Sequence, residues 1–371
     1  MALSIIPHNT KIDFLGLRHI CYIISLLVLA AGIASLVYKG GLHYGIDFAG
    51  GTVVQVKFSA PVEDGEVKDA LATTNLPGIS GQIFGNAEDA QYLIRISAID
   101  EGASAFRTAI IDALNKKFPG QEIKIERVES VGPKVGADLR ASAINALFYA
   151  SLLISIYVSG RFEQRWLVAG IMSATLVGSL YLMSAFLNIP QLWLILVALL
   201  LTLVLCWKLK LVYALSALIG LIHDVLITIG LLSILNVEID LIVIAGLLTV
   251  VGYSLNDTII VFDRIRENLH KADRPGLAAI INNSVNQTLS RTILTSATTL
   301  MVLFALFFLG GAILQDFALT MIIGVVTGTY SSIFISSPIL LAFGEPPAPQ
   351  DEDESKRIKE MLQKSHDGAI V

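Results

Sequence analysis

Residues 241–267 read LIVIAGLLTVVGYSLNDTIIVFDRIRE. The apolar run that ends at Phe262 is long enough to cross a bilayer as one helix, and a cluster of charged residues follows it. Asp257 interrupts the run about two turns before its charged end. A charge inside the hydrocarbon core costs roughly 2.5–3.5 kcal/mol even on a lenient insertion scale, so this acid indicates a specific role inside a membrane.

The composition also predicts a polytopic membrane protein. The chain has 371 residues, of which 54% are hydrophobic and only 15% are charged, and its mean hydropathy is +0.70. The two cysteines, Cys21 and Cys206, lie far apart in apolar runs and are predicted to act as small apolar side chains. No metal site, cofactor, nucleic-acid interface or enzyme active site is predicted.

Eight apolar runs are each long enough to span a bilayer. They lie at about 19–38, 141–159, 166–187, 191–207, 211–235, 241–262, 292–310 and 316–343. The first run is too long for a signal-peptide core and lacks a small-residue cleavage site, so we expect it to be retained as a helix. The predicted fold is a polytopic α-helical membrane protein with about eight transmembrane helices and one exported α+β domain.

Basic residues cluster at the amino terminus, in alternate loops and in the segment 263–291, whereas the other loops carry almost none. By the positive-inside rule, both termini are predicted to be cytoplasmic and the polar stretch between the first two spans to be exported. The acidic, Pro-rich tail is predicted to be partly disordered. The predicted domains are the amino terminus with the first helix (1–39), the exported domain (40–140), the transmembrane bundle (141–343) and the cytoplasmic tail (344–371).

The exported stretch has the pattern of a small α+β domain. Strands are predicted at 51–58, 78–85, 91–97 and 123–131, and helices at 66–74 and 101–118. This β-α-β-β-α-β order is that of the ferredoxin-like unit. Gly132 and Pro133 follow the last strand, either as a hinge or as a simple strand stop. Later in the chain, 275–290 has the apolar spacing of an amphipathic helix on the cytoplasmic surface.

Asp257 lies among other polar side chains of its span. These are Ser254, Asn256 and Thr258. Gly246 and Gly252 of the same run would let a neighbouring helix approach closely. An aspartate that must avoid lipid is either protonated or paired with a cation, so this patch is the predicted site.

Arg291 is the best candidate for the partner cation, because it begins the next span and that helix runs antiparallel to the first. The span continues with a hydroxyl-rich face formed by Thr292, Thr295, Ser296, Thr298 and Thr299. Two interpretations stay open: the pair opens and closes as Asp257 gains and loses a proton, or it is a static polar lock between helices.

A second acid, Asp224, lies beside His223 in the middle of another apolar run. The favoured interpretation is a satisfied polar pair that supports helix packing.

Several motifs together resemble the SecF family. They are GIDFAGGT (45–52), VGPKVGADLR (131–140), GRFE (160–163), LIHDV (221–225), YSLNDTIIVFDRIREN (253–268) and NQTLSRTILTSATTL (286–300). The resemblance covers nearly the whole chain in the right order. It implies a subunit of the bacterial Sec protein-export machinery in the cytoplasmic (inner) membrane, related to the resistance–nodulation–division transporters.

The resemblance implies that the chain uses the proton-motive force together with SecD to promote polypeptide translocation. It makes Asp257 and Arg291 the ion-coupling pair, with H⁺ as the coupling ion and Na⁺ as the alternative. The implied partners are SecD, the SecYEG channel, the exported polypeptide and membrane lipid, with YajC and YidC as further candidates. Two alternative functions are a structural subunit that stabilises SecD and a small-molecule exporter of the same superfamily.

One region departs from the family pattern. Glu163 of GRFE and His223 of LIHDV are about 60 residues apart, whereas the family places these motifs close together, and two extra spans fit at about 166–207. This insert is either a degenerate copy of the following hairpin or similar to it by chance. Gly178 and Ser179 stand where a copy would carry His223 and Asp224, so we expect a peripheral hairpin without a coupling function.

Overall fold

The computed structural model describes residues 10–74, 76, 78–84, 90–97, 103–186, 191–271 and 276–343. The helices are α1 (Arg18–Tyr38), α2 (Ile46–Ala49), α3 (Asp64–Ala72), α4 (Ala103–Lys117), α5 (Pro133–Glu163), α6 (Trp166–Phe186), α7 (Gln191–Lys208), α8 (Val212–Ile234), α9 (Leu241–Lys271), α10 (Leu277–Leu309), α11 (Ala312–Ser331) and α12 (Ser337–Ala342). The strands are β1 (Gly51–Phe58), β2 (Ser80–Ile83), β3 (Gln91–Ile96) and β4 (Ile123–Val131). The tail 344–371 lies outside the described residues.

The polytopic helical class is confirmed. Within the described ranges, six helical segments are long and apolar enough to cross a membrane. They are Arg18–Tyr38, Pro133–Glu163, Val212–Ile234, Leu241–His270, Leu277–Leu309 and Leu314–Ala342. The insert forms α6 and α7, in which the apolar stretches Trp166–Ser179 and Trp193–Lys208 are shorter. The predicted count of eight spans is therefore not confirmed.

A four-stranded antiparallel sheet carries the β-α-β-β-α-β order expected for residues 51–131. Its strands lie in the order β2-β3-β1-β4. Alternate residues of β3 are buried, because α3 and α4 cover one face of the sheet. The apolar core between these layers includes Val56, Ile94 and Ile110, each fully buried. The sheet and the two helices that cover it, within residues 51–131, are called the head below.

The head joins the bundle through a short connection. β4 ends at Val131, and α5 starts at Pro133 after Gly132 in an extended conformation. Proline suits this first helical position, because it lacks the N–H that would have no partner there. α5 therefore begins eight residues before the predicted span at 141, and the hinge role of Gly132 and Pro133 stays a prediction.

The predicted amphipathic helix at 275–290 is wrong as a separate surface element. Residues 277–290 form the first turns of α10, which continues without a break to Leu309. No glycine or proline interrupts the helix, so nothing in the sequence ends it at the membrane surface. Its apolar residues Ile281, Val285 and Leu289 are buried in the main bundle core rather than against lipid.

A close crossing of α9 and α11 shapes the bundle centre. Gly324 and Gly328 have the small-xxx-small spacing that allows helix backbones to approach. A β-carbon at Gly324 would overlap the side chain of Val250, and one at Gly328 would lie 3.0 Å from Ser254 Cβ. Because neither glycine has a side chain, the hydroxyl groups of α11 reach the polar face of α9.

α11 and α12 are joined by a π-helical turn, Ser332–Ser336. Pro338, near the start of α12, has no N–H to donate to the carbonyl of Phe334, so the regular α-helical pattern cannot continue through this point. Ser337 Oγ instead donates to the carbonyl of Ser332 at 2.6 Å. The turn lies directly after the residues of α11 that enter the candidate site.

Candidate functional site

Asp257 lies in the middle of α9 and is 1% exposed. Its Oδ2 accepts one long hydrogen bond, 3.4 Å, from Ser296 Oγ of α10. Ser296 also shares a 2.6 Å hydrogen bond with Thr329 Oγ1 of α11. The second carboxylate oxygen, Oδ1, is buried and has no hydrogen-bond partner among the described residues. A buried carboxylate oxygen without a donor is costly, so this acid is poorly satisfied in its charged form.

Arg291 lies on α10, five residues before Ser296, and its side chain is exposed. Within the described ranges, it forms no ion pair with Asp257. Five residues correspond to about 7.5 Å along a helix, or roughly one and a half turns. The structure therefore places the two predicted partners on neighbouring helices without joining them.

The predicted supporting residues separate into two groups. Ser254 and Thr258 are buried on the same side of α9 as Asp257, and Thr258 Oγ1 donates to the Ser254 carbonyl at 3.2 Å. Asn256 is exposed and lies on another side of the helix. Gly246 packs against Thr320 of α11, as expected for a close helix approach. The same expectation is wrong for Gly252, whose added β-carbon would meet nothing within 4 Å among the described residues.

The hydroxyl-rich face of α10 contributes less than its composition suggests. Thr295, Thr298 and Thr299 each donate to a carbonyl of their own helix. Such hydrogen bonds satisfy the threonine donors within their own helix, although Thr299 Oγ1 also accepts a hydrogen bond from Tyr253 of α9 at 3.2 Å. Ser296 is the member of this face that reaches Asp257.

Asp224, on α8, is completely buried and has hydrogen bonds to both of its oxygens. Oδ1 lies 2.9 Å from His223 Nδ1. Oδ2 accepts hydrogen bonds from Ser254 Oγ at 2.5 Å and Ser331 Oγ at 2.7 Å. These donors come from α8, α9 and α11, so Asp224 ties three helices together. This geometry is the one expected of a satisfied packing pair.

The network around His223 includes residues that sequence reasoning missed. His223 Nε2 lies 3.0 Å from Ser25 Oγ of α1, and Ser25 donates to Tyr330 of α11 at 3.1 Å. The rings of His223 and Tyr330 stack at 6.2 Å between centroids. A signal was present in the segment 324–337, GVVTGTYSSIFISS, where hydroxyl residues follow a small-xxx-small pair.

A polar junction links the head to the loop between α8 and α9. Arg95 of β3 forms an ion pair with Glu238 of this loop. The backbones of His43 and Ile239 also pair, with the Ile239 amide donating to the His43 carbonyl at 2.7 Å. Burial lowers the pKa of Arg95 and of His43, and it raises the pKa of Asp240. These groups are therefore partly removed from water where the head meets the bundle.

Metal binding finds no support in the arrangement of side chains. In the part of the chain that the structure describes, no group of three or more His, Cys, Asp or Glu residues could hold a metal ion. Cys21 and Cys206 are buried free thiols.

The match to known proteins covers most of the chain. A family model described as "Protein export membrane protein SecD/SecF, C-terminal" matches residues 110–189 and 182–346, and one described as "SecD/SecF GG Motif" matches residues 38–62. The chain belongs to the SecD/SecF family. Its SecD/SecF C-terminal match comes in two pieces that overlap at residues 182–189, within the insert.

Within the SecD/SecF family, the curated relatives show that the chain is of the SecF type. It is 40% identical over 333 residues to a protein translocase subunit SecF of Magnetococcus marinus, covering 90% of this chain and 92% of that protein. It is 36% identical over 338 residues to a subunit of the same name from Escherichia coli O157:H7, covering 91% and 90%. The recognition of a SecF-type translocase subunit is therefore confirmed.

A solved SecDF structure shares the fold. The crystal structure of SecDF from Thermus thermophilus, a translocon-associated membrane protein, aligns with a TM-score of 0.66 at 29% identity. The alignment covers 92% of this chain but only 39% of that longer chain. A second structure, SecDF in a super-membrane-facing form, aligns with a TM-score of 0.54 at 28% identity.

Proposed function

We propose that this SecF-type subunit uses the proton-motive force, together with SecD, to promote polypeptide translocation across the cytoplasmic membrane. Asp257 is the proton carrier, and Arg291 is the cation that pairs with it when it is charged. Ser254 and Thr258 support the site from the same helix. The coupling ion is H⁺ in this proposal, and Na⁺ is the alternative for a carboxylate surrounded by hydroxyl groups.

The observation that carries this proposal is the buried Oδ1 of Asp257, which has no hydrogen-bond partner among the described residues. A buried carboxylate in this position favours either a proton or an approaching cation. Asp224 does not have this property, because donors already contact both of its oxygens. Of these two acids, Asp257 is therefore better suited to exchange a proton.

Arg291 fits the role of a partner that arrives only in one state. It is exposed on α10, the same helix that presents Ser296 to Asp257. A long arginine side chain can turn along its helix and bring its guanidinium group towards the carboxylate. Pairing would favour charged Asp257, and separation would favour the protonated acid. In this proposal, movement between these states drives the head through the polar junction at Arg95 and Glu238.

The partners and orientation belong to the same proposal. The relatives' names and the longer SecDF chains support assembly with SecD, which would complete a pseudo-symmetric transporter. The chain would act at the SecYEG channel on exported polypeptide, with YajC and YidC as further partners. The distribution of basic residues supports cytoplasmic termini and an exported head.

The two alternative functions differ in testable ways. A structural subunit would need Asp257 only for packing, but this acid contributes one long hydrogen bond to the bundle. A small-molecule exporter needs a mostly apolar substrate pocket. The cavity of about 480 Å³ between the head and the bundle is instead lined by many charged groups, including Asp47, Arg127 and Glu129.

The decisive variant is Asp257→Asn, which keeps the shape of the side chain and removes its charge. We expect the full chain to assemble with SecD normally while the gradient-dependent part of export is almost completely lost. Export of a reporter protein would be measured in membrane vesicles, with H⁺ and Na⁺ gradients imposed separately. The ion whose gradient stimulates export only with Asp257 present is the coupling ion.

The matched control is Asp263→Asn, at the acid that follows the apolar run on the same helix. Its side chain is half exposed and pairs with Arg161, so gradient-dependent export should persist. If Asp257→Asn leaves export unchanged while SecD is intact, the structural function is correct and the assignment of Asp257 is wrong.

A further inference from the structure

The insert creates a basic cavity that the coupling site does not use. It lies where α5, α7 and α12 end and α8 begins, and its volume is about 410 Å³. Three cationic side chains line it, Arg165, Lys208 and Lys210, and no acidic residue does. Trp207 and Phe343, which are both exposed, complete the lining together with Cys206, Val212 and Leu215. The described residues thus form a concave site with a net charge of about +3.

Lys210 occupies a backbone conformation that usually belongs to glycine. Its φ angle is +56° at the end of α7. The Lys210 amide donates to the Trp207 carbonyl and the Leu211 amide donates to the Cys206 carbonyl, which is the Schellman arrangement. A left-handed conformation at a residue with a β-carbon is unfavourable. A lysine is nevertheless present here, at the position that adds the third cation to the cavity.

Arg165 holds the two loops of this site together. It lies in the short connection between α5 and α6, and its Nη1 donates to the Leu209 carbonyl at the end of α7 at 2.9 Å. The nearby carboxylate of Glu163 faces the start of α8, where its Oε1 accepts the Tyr213 amide at 2.8 Å. Arg165 thus caps the Leu209 carbonyl, and one oxygen of Glu163, the acid nearest to the cavity, accepts a hydrogen bond from the start of α8.

We propose that this cavity binds the phosphate group of an anionic phospholipid. It lies at the end of membrane-spanning helices, at the depth where lipid headgroups are found, and an exposed tryptophan marks that interface. Basic pockets between transmembrane helices at this level recognise anionic headgroups. The exposed apolar side chains of α7, such as Val204 and Leu200, lie along the path that the acyl chains of such a lipid would follow.

The proposal can be tested with tryptophan fluorescence, because all three tryptophans of the chain lie in the insert. The variant Trp166→Phe/Trp193→Phe leaves Trp207 as the single reporter in the full chain. The protein would be reconstituted into phosphatidylcholine vesicles that contain brominated phosphatidylglycerol or brominated phosphatidylcholine. Bromine quenches an indole ring that it contacts. We expect brominated phosphatidylglycerol to have an apparent affinity about five-fold or more above that of brominated phosphatidylcholine.

The charge of the cavity should account for this preference. In the reporter background, Lys208→Gln/Lys210→Asn should bring the affinity ratio close to one. Asparagine tolerates the left-handed conformation at position 210, so this variant removes charge without adding backbone strain. The control Lys11→Gln/Arg264→Gln removes two cations elsewhere and should leave the ratio unchanged.

Three outcomes would overturn the proposal. The first is equal quenching by both brominated lipids in the reporter protein. The second is a preference that inorganic phosphate abolishes and chloride of the same ionic strength does not, because the ligand would then be soluble phosphate. The third is a preference that appears only after the acidic run Asp351–Glu354 is neutralised, because that part of the chain would then be the occupant.

Discussion

Asp224 and Asp257 lie in consecutive helices of the bundle, and both side chains are almost completely buried. Asp224 has donors at both oxygens, from three different helices. Asp257 has one donor, at the long distance of 3.4 Å, and one oxygen without a partner among the described residues. The same residue type in the same kind of apolar run therefore has two different energetic roles.

The difference arises from what each carboxylate faces. Gly328 lets α11 approach Ser254, and Ser331 on the next turn then reaches Asp224. Asp257 lies one turn further along α9 than Ser254, and Ser296 and Thr329 near it already bond to each other. A satisfied acid stabilises the fold, whereas an incompletely satisfied acid is available for a proton or a cation. Packing in one bundle therefore satisfies one buried acid and leaves another partly unsatisfied.

The largest expected effect comes from truncating each acid in the same way. Asp224→Ala removes the carboxylate that bonds His223, Ser254 and Ser331, so we expect the free energy of unfolding to fall by about 3 kcal/mol. Asp257→Ala removes only the acceptor of one long hydrogen bond, and we expect a change below about 1 kcal/mol. Equilibrium unfolding of the purified chain in mixed detergent micelles would measure both values. A larger loss for Asp257→Ala would reverse the distinction between the two acids.

A second, smaller effect tests the close helix crossing that creates the difference. Gly324→Ala should destabilise the bundle by about 2 kcal/mol, because the new methyl group overlaps Val250. The matched variant Gly252→Ala, on the open face of α9, should instead stabilise by about 0.5 kcal/mol through helix propensity. The same unfolding measurement distinguishes them. Equal effects would mean that the α9–α11 crossing does not constrain the site.

The smallest expected effect comes from removing one donor from each acid. Ser254→Ala deletes a 2.5 Å hydrogen bond to Asp224 and should cost about 1 kcal/mol of unfolding free energy. Ser296→Ala deletes the 3.4 Å hydrogen bond to Asp257 and should cost clearly less. Thermal unfolding midpoints of the two variants, compared with Thr249→Ala on the exposed side of α9, would sharpen the comparison. An equal or larger loss for Ser296→Ala would contradict it.

Much of the architecture follows from local patterns in the chain. Alternating apolar residues predicted the strands of the head within a few residues, and β4 runs over 123–131 as expected. Long apolar runs predicted the helices, because backbone groups in lipid must be satisfied within one helix. The continuous α10 was missed because amphipathic spacing does not reveal whether the apolar face meets lipid or a protein core.

The candidate site depends on contacts between helices that local sequence patterns do not predict. Helical spacing groups Ser254, Asp257 and Thr258 within about 100° on one face and puts Asn256 about 160° from Ser254 and Thr258, since each residue turns a helix by about 100°. The donors of Asp224 include Ser331, 107 residues away, and His223 lies beside Ser25, 198 residues away. Periodicity specifies which face of a helix is polar, but it contains no information on which helix lies opposite.

The positions of the two buried acids, their chemistry and the helices that carry them were therefore fixed along the chain itself. Whether each acid is satisfied depends on packing: Gly324 and Gly328 bring α11 close enough to supply donors to Asp224, and no element of the described structure supplies one to Asp257 Oδ1. A hydrogen bond exists only over a few tenths of an ångström. Such distances are set by how whole helices pack, which is why the tertiary structure distinguishes two aspartates that the sequence presents as alike.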